Sequence, residues 1–304
     1  LTSDELLEGC DHLYKSIVII GGGVIGVEFA TFYNDLGCDV TIIEGMDRLL
    51  PTMDRELGQN LAQILKKRGV QLYLNSMVKN VEETAEGTTV NFVTKDVEGS
   101  ATGEVVLCAI GRKPYLDGLF TDECKPEMNG KSIKVDERYL TSIPGVYAIG
   151  DIIATPALAH VASAEAIHCV EHICGLTPDA VDYSTIPSCV FTSPEVASVG
   201  MTEQQAREKG IEYKVGRFPF TASGKATAAG DRDGFVKLIF DESEKLIGAH
   251  MVGATVTEML GEPTLAKRLG ITAHAIAKTI HSHPTMHEGI MEAAESAMGA
   301  AIHL

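Results

Sequence analysis

The stretch SIVIIGGGVIGVEFATFYNDLGCDVTIIE, residues 16–44, decides the fold of the first part of the chain. The apolar run at residues 16–20 predicts a strand, and three glycines follow it. Residues 24–36 have the composition of a helix, which Gly37 ends, and residues 39–44 predict a second strand. Strand, glycine turn, helix and strand make a βαβ unit, so the sequence predicts an α/β fold with a parallel sheet.

The glycine turn has the spacing of a dinucleotide-binding loop. Gly21, Gly23 and Gly26 form G-x-G-x-x-G directly after a strand and at the start of a helix, where unpaired N–H groups favour a pyrophosphate. The alternative is a glycine-rich turn in another kind of α/β fold. The predicted binding residues in this loop are Gly21, Gly22, Gly23, Val24, Ile25 and Gly26.

Glu44 ends the second predicted strand, the position at which an acidic side chain binds the adenosine ribose hydroxyls. No arginine follows it directly, because Arg48 is separated from it by the acidic Asp47. A carboxylate there would repel a 2′-phosphate, so we expect NAD rather than NADP.

The composition excludes several classes of partner. The net charge is −17, from 25 basic and 42 acidic side chains, so we expect no nucleic-acid partner. The most apolar stretch, residues 16–32, is short and broken by glycines and Glu28, so we expect no membrane span. No secretory signal is recognisable at the N-terminus, and seven scattered cysteines suit a reducing compartment, by default the cytoplasm.

Near the C-terminus, HPTMHE places two histidines and a glutamate together. Pro284 should extend His283 and begin a helix in which Glu288 lies early, so that the carboxylate could fix the tautomer of the imidazole. A metal pair of His283 and His287 is an alternative, although Pro284 lies between them and the pattern is not H-E-x-x-H. The remaining alternative is a set of ordinary histidines near a helix start.

Eight motifs together carry a family resemblance. They are GGGVIGVE, IIEGMDRLLPTMD, AIGRKP, GVYAIGD, LAHVASAEA, FTSPEVASVGMTE, FPFTASGKA and HPTMHE. From about Lys15 to Leu304 the sequence resembles the pyridine nucleotide–disulfide oxidoreductases, and its ending AIHL looks like the dihydrolipoyl dehydrogenase branch. The C-terminal cysteine pair of mercuric reductases is absent, and Glu44 stands where glutathione reductases have basic residues for NADP.

The resemblance implies an α/β architecture of several parts and two cofactors, FAD and NAD. We expect a linker remnant (residues 1–14), a Rossmann-like NAD-binding domain (15–114), the C-terminal part of an FAD-binding domain (115–183) and an α+β dimerisation domain (184–304). Further helices are predicted over residues 54–68 and 157–173. The last domain implies a homodimer.

The resemblance also implies roles for individual residues. His283 matches the catalytic base and Glu288 its orienting partner, acting at the active site of the other subunit. Glu28 matches a glutamate near the nicotinamide, although a solvated helix charge is an alternative. The other matches are Gly111 at the strand end that closes the NAD domain, Asp151 at the ribityl chain of FAD, and Leu158, Ala159 and His160 beside the flavin.

The implied reaction is the oxidation of dihydrolipoamide through a disulfide and FAD, with reduction of NAD. Its implied partners are the lipoyl domains of 2-oxoacid dehydrogenase or glycine cleavage complexes. The family begins with an FAD-binding βαβ unit and a redox-active C-x-x-x-x-C, which we expect to lie outside this sequence. Cys169 and Cys174 have that spacing, but on a regular helix they would point about 140° apart, too far to bridge without distortion, so we interpret the spacing as a coincidence and keep a redox pair as the alternative. The alternatives are a non-catalytic NAD-binding, dimerising fragment or another disulfide oxidoreductase of the family.

Overall fold

The computed structural model describes residues 1–9 and 12–304, and it divides into two compact units. Unit 1 combines two separate segments, Leu1–Ile110 and Pro187–Leu304. Unit 2 comprises Gly111–Ile186. The linker predicted over residues 1–14 lies partly outside the described residues; its described part includes one short helix.

The first segment of unit 1 is built on the βαβ unit that the glycine turn predicts. Its elements are α1 (Ser3–Leu7), β1 (Ser16–Ile20), α2 (Val24–Asp35), β2 (Asp39–Ile43), α3 (Arg55–Lys67), β3 (Gln71–Tyr73), β4 (Ser76–Thr84), β5 (Gly87–Thr94), β6 (Val97–Gly103) and β7 (Val105–Cys108). β3, β2, β1 and β7 form a parallel sheet in that order. Ile17, Val18 and Ile19 of β1 are all buried, as a parallel strand covered on both faces requires. The α/β prediction is confirmed.

β4, β5 and β6 form a separate antiparallel meander, which is inserted between β3 and β7. Val90 and Phe92 of β5 pack against Val18 and Ile43, so the meander covers one face of the parallel sheet. The sequences VKNVEET and TTVNFVT, residues 78–84 and 88–94, predict the first two of these strands, whereas β6 has no such signal. Its sequence VEGSATG is poor in residues that favour strands, and its pairing with β5 sets its conformation.

Helices α2 and α3 lie close to their predicted bounds. Asp54 caps the N-terminus of α3, where its carboxylate accepts a hydrogen bond from the Glu56 N–H at 3.1 Å. Leu57, Leu61 and Leu65 of α3 are fully buried in the main core of unit 1. Burial of this apolar stripe fixes the helix against the parallel sheet.

Unit 2 contains a small hairpin and one long helix: β8 (Met128–Asn129), β9 (Ser132–Ile133) and α4 (Ala159–Ile173). Ile133, Tyr139, Ile153 and Cys169 lie in its core. The helix expected over residues 157–173 is confirmed, with its start two residues later than predicted. Cys169 is buried, Cys174 is exposed at the end of α4, and both thiols are free.

The second segment of unit 1 is an antiparallel sheet with helices. Its elements are β10 (Pro187–Val190), β11 (Glu195–Gly200), α5 (Glu203–Glu208), β12 (Tyr213–Pro219), α6 (Gly224–Ala229), β13 (Phe235–Asp241), β14 (Leu246–Gly253), α7 (Val256–Met259), α8 (Gly261–Leu269), α9 (Ala273–Lys278) and α10 (Glu288–Ala297). The strand order is β10-β11-β14-β13-β12, and every pair is antiparallel. This is the expected α+β arrangement. The helix after Pro284 begins later than predicted, at Glu288, because residues 284 and 285 are not helical and residues 286 and 287 form a turn.

A buried charge cluster joins the two segments of unit 1. The Lys237 side chain on β13 is 1% exposed, and its Nζ lies 2.7 Å from Glu203 Oε2, 2.9 Å from Glu56 Oε1 and 3.1 Å from Asp54 Oδ1. Burial alone would lower the pKa of Lys237, but the three carboxylates raise it above its ordinary value. The Glu203 N–H also donates to Asp54 at 3.1 Å, so Asp54, a residue of the first segment, accepts a backbone hydrogen bond from the second segment as well.

None of the helices within residues 1–9 and 12–304 has the length and apolar character needed to cross a bilayer.

Candidate functional site

Close packing requires glycine at two positions after β1, Gly21 and Gly26. Gly21 has a φ of 111°, and a Cβ there would lie 2.4 Å from the Ala109 carbonyl oxygen. A Cβ at Gly26 would lie 2.0 Å from the Gly21 carbonyl oxygen, so α2 can approach the strand only through a glycine. A Cβ at Gly22 would meet the Leu49 side chain at 2.6 Å.

Gly23 has a different role, because a Cβ there would meet nothing within 4 Å. Gly23 is the N-cap of α2 and provides no side-chain hydrogen bond to the first turn. In the described part of the chain, the N–H groups of Val24, Ile25 and Gly26 have no side-chain partner either. Open space in front of uncapped N–H groups, at the positive end of a twelve-residue helix, fits a pyrophosphate.

The Glu44 carboxylate lies beside this turn. Its Oε2 accepts a hydrogen bond from the Gly22 N–H at 2.5 Å, and its Oε1 accepts one from the Met46 N–H at 2.7 Å. Each oxygen retains a further lone pair, so the carboxylate can still accept from ribose hydroxyls while it ties the turn to the end of β2. Arg48 donates to Asp47 at 2.8 Å and to the Pro51 carbonyl at 2.9 Å, which directs its guanidinium to these partners.

Glu28 is half-buried on α2, two residues after Gly26. Its Oε1 accepts a hydrogen bond from the Phe191 N–H at 2.8 Å, which links the helix to the second segment of unit 1. Burial raises the pKa of Glu28, although the Phe191 N–H partly offsets that rise. The side chain is therefore held in place rather than solvated freely.

His283 and Glu288 meet in the structure. His283 Nδ1 lies 2.8 Å from Glu288 Oε1, so the imidazole donates its Nδ1–H to the carboxylate and leaves Nε2 as the base. Glu288 Oε2 accepts the Thr285 N–H at 2.8 Å, which fixes the carboxylate. Burial would raise the pKa of Glu288, but the Thr285 N–H and His283 hold it below its ordinary value. The His283 side chain is 80% exposed, so its Nε2 is accessible to a substrate.

His287, the other histidine of the motif, is the residue directly before α10. Among residues 1–9 and 12–304, no group of three or more His, Cys, Asp or Glu side chains is arranged to hold a metal ion. His281, which the sequence places close to the possible metal pair, instead has its Nε2 2.9 Å from Glu262 Oε1 and its Nδ1 2.9 Å from the Thr279 carbonyl oxygen.

The predicted flavin residues belong to unit 2. Asp151 is exposed on a one-turn 3-10 helix, Gly150–Ile152, and Leu158 is the N-cap of α4 without a side-chain cap. Ala159 and His160 form the exposed first turn of α4. An exposed carboxylate beside an uncapped helix of fifteen residues suits a ligand with hydroxyls and phosphates, so these residues fit part of an FAD site. Gly111, with a φ of 128°, is an exposed residue at the start of unit 2.

Two polar residues behind this turn, Glu165 and Tyr183, were not predicted from the sequence. Glu165 of α4 is fully buried, and its Oε2 accepts the Gly150 N–H at 2.7 Å. Tyr183 donates its hydroxyl to Glu165 Oε1 at 2.8 Å. Only the chain folding brings these residues together, since they are widely separated in the sequence.

Comparison with known families decides the relationship. The model described as pyridine nucleotide-disulphide oxidoreductase matches residues 2–166, more than half of the chain. The chain belongs to this family. The model of the pyridine nucleotide-disulphide oxidoreductase dimerisation domain matches residues 186–294.

Curated relatives of this pyridine nucleotide-disulphide oxidoreductase include two named dihydrolipoyl dehydrogenase. One, from Bacillus subtilis, is 42% identical over 306 residues, which cover 100% of this chain and 64% of the relative. The other, from Geobacillus stearothermophilus, is 43% identical over 292 residues, which cover 95% of this chain and 62% of the relative. The chain therefore spans somewhat less than two thirds of the length of these relatives.

Solved structures show the same fold for the family. LpdA from Mycobacterium tuberculosis matches with a TM-score of 0.87 at 28% identity, covering 97% of this chain and 64% of that one. The HOCl-induced flavoprotein disulfide reductase RclA from Escherichia coli matches with a TM-score of 0.88 at 27% identity, covering 97% of this chain and 67% of that one. The predicted family resemblance is confirmed.

Proposed function

We propose that this chain provides the NAD-binding, proton-transferring and dimer-forming parts of a dihydrolipoyl dehydrogenase. The observation that carries the proposal is the His283–Glu288 pair at 2.8 Å, a base with a fixed tautomer in an exposed position. Its support from comparison is the identity of 42–44% to the first three curated relatives, all named dihydrolipoyl dehydrogenase.

The pair performs the proton transfer that begins the oxidation. A thiol of dihydrolipoamide gives its proton to His283 Nε2, so the S–H bond breaks, an N–H bond forms and a thiolate remains. The thiolate is the nucleophile in exchange with a disulfide, whereas the thiol is not. Glu288 stabilises the resulting imidazolium, because its lowered pKa keeps it ionised when His283 becomes charged.

The cofactor residues are assigned from the same geometry. FAD and NAD supply the electron and hydride transfer when they are bound. The N-terminus of α2 would hold the NAD pyrophosphate, Glu44 its adenosine ribose, and Glu28 would lie toward the nicotinamide. Asp151 and the first turn of α4 would hold part of FAD.

The proposed partners follow from the second segment of unit 1. We assign residues 184–304 as the surface through which two copies form a homodimer, in agreement with the dimerisation-domain match. In the dimer, His283 and Glu288 would act on substrate at the active site of the other subunit. Lipoyl domains of 2-oxoacid dehydrogenase or glycine cleavage complexes would present the dihydrolipoamide, and we propose the cytoplasm as the compartment because scattered cysteines suit a reducing environment.

The test is dihydrolipoamide-dependent reduction of NAD by the full-length protein, with an intact mass and a visible spectrum of the same sample. His283→Gln should lower the rate about 10²–10⁴-fold, the usual contribution of a general base. His287→Gln is the matched control and should retain the wild-type rate. A rate that His283→Gln leaves unchanged would exclude the assigned base.

A direct NAD titration separates catalysis from mere binding. The chain contains no tryptophan, so calorimetry or NADH fluorescence is the appropriate readout. NAD binding without flavin absorbance and without dihydrolipoamide oxidation would identify a non-catalytic NAD-binding protein instead.

A further inference from the structure

We infer that Glu165, held by Tyr183, is a positioning residue for flavin binding, acting through the turn that carries Asp151. The inference rests on the proposed function, because it concerns the FAD site that Asp151 is assigned to. Glu165 itself is fully buried and lies behind the turn, with its two carboxylate oxygens directed to two different partners.

The first partner fixes the turn. Glu165 Oε2 accepts the Gly150 N–H at 2.7 Å, and the next residue is Asp151. Gly150 has a φ of 69°, a conformation that glycine adopts readily, and a Cβ there would lie 3.1 Å from the Ala162 Cβ. The hydrogen bond therefore holds a backbone that packs directly against α4, and with it the direction of the exposed Asp151 carboxylate.

The second partner fixes Glu165. An ionised carboxylate only accepts hydrogen bonds, so Tyr183 must donate to Glu165 Oε1 at 2.8 Å. The Tyr183 oxygen lies 2.9 Å from the Tyr139 hydroxyl and must then accept from it. The direction of the whole chain is thus determined: Tyr139 donates to Tyr183, and Tyr183 donates to Glu165. At the Tyr139 end of this hydrogen-bond chain, the ring of His168 packs edge-on against the Tyr139 ring, with ring centroids 5.6 Å apart.

This direction predicts unequal effects for changes along the chain. Tyr183→Phe leaves a buried carboxylate oxygen without its donor, whereas Tyr139→Phe leaves the Tyr183–Glu165 bond intact. Glu165→Leu removes the acceptor for Gly150 altogether. Glu165→Gln preserves both contacts, because its carbonyl can accept from Gly150 and its amide can donate to Tyr183.

The experiment measures FAD dissociation from the full-length protein by flavin absorbance and fluorescence, together with amide hydrogen exchange at Gly150. Glu165→Leu and Tyr183→Phe should raise the FAD dissociation constant about 10-fold, shift the flavin absorption band and accelerate exchange at Gly150. Glu165→Gln and Tyr139→Phe should remain within about 3-fold of wild type. Tyr147→Phe, a partly exposed tyrosine of the same unit, is the matched control.

Three results would overturn the inference. Normal FAD affinity in Glu165→Leu, combined with a loss in Asp151→Asn, would leave the flavin site standing and remove the positioning role. An equal loss of FAD affinity in Glu165→Gln and Glu165→Leu would show that FAD binding depends on the charge of Glu165 and not on its contact with Gly150. Absence of FAD from the wild-type protein would overturn the flavin part of the proposed function and this inference with it. NAD binding by the same sample would leave the NAD-binding part of the proposed function standing.

Discussion

Replacement of Lys237 by methionine should destabilise unit 1 strongly. Methionine occupies a similar volume without the charge, so Lys237→Met leaves Asp54, Glu56 and Glu203 facing one another without their shared cation. Removal of one partner from a buried ion pair costs ~3–5 kcal/mol. Asp54 retains two N–H donors, from Glu56 and Glu203, and the other two carboxylates are partly exposed, so we expect a loss near the lower limit, about 3 kcal/mol.

The assay is urea unfolding followed by far-ultraviolet circular dichroism. Lys214→Met is the matched control, because Lys214 is 57% exposed and forms a 3.3 Å ion pair with Glu244. Such a surface pair contributes about 0–1 kcal/mol. In thermal unfolding, a loss of about 3 kcal/mol corresponds to roughly 6–12 °C for a domain of this size.

A double variant tests the reasoning. Asp54→Asn removes the stranded charge, and asparagine remains an effective N-cap for α3. We therefore expect Lys237→Met/Asp54→Asn to be at least as stable as Lys237→Met alone. If the two losses simply add, the cost of Lys237→Met does not come from unpaired charge, and the electrostatic account of the cluster is wrong.

Three further predictions follow from other groups. Burial raises the pKa of Asp54, but the charges of His250 and Lys237 and the Glu203 N–H lower it more, so the stabilisation from Asp54 is complete above its ordinary pKa of 3.8 and is lost as pH falls through the lowered value. The stability gap between wild type and Lys237→Met should therefore hold from pH ~7 to pH ~4 and narrow only below pH ~4 in urea titrations. Gly26→Ala should lower the free energy of unfolding by about 1–3 kcal/mol, because the added Cβ overpacks the contact with the Gly21 carbonyl oxygen. Gly23→Ala should leave the melting temperature unchanged and weaken NAD binding about 10-fold, as measured by calorimetry. Equal effects of the two changes on stability would contradict the separate roles of these glycines. Glu288→Gln should lower kcat about 10-fold or more with unchanged folding by circular dichroism, because the imidazolium loses its carboxylate, and an unchanged kcat would exclude that role.

The βαβ unit could be predicted because its signals are local. The apolar run, the glycine spacing and the following helix all lie within residues 16–44, and the structure places them as the pattern indicates. The His283–Glu288 contact is local as well, since the two residues are five positions apart in the sequence. The helix start after Pro284 was misplaced, because the intervening residues are not helical.

The charge cluster and the Glu165 contacts could not be predicted in the same way. Asp54, Glu203 and Lys237 are far apart in the sequence, and each on its own has the pattern of a solvated charge. Glu165 and Tyr183 likewise become neighbours only when α4 folds back on the segment that follows it. Contacts of this kind depend on tertiary packing, on which the sequence pattern gives no direct information.

The meander of β4, β5 and β6 offers a place to modify the protein. Its three strands form hydrogen bonds to one another, while β7 pairs directly with β1. The parallel sheet is therefore continuous without the hairpin of β4 and β5. Ala85 and Glu86 are exposed at the tip of that hairpin. A fluorophore, an affinity tag or a longer loop grafted at this tip would report on the protein without a change in the nucleotide-binding turn, and natural length variation should be tolerated at the same position.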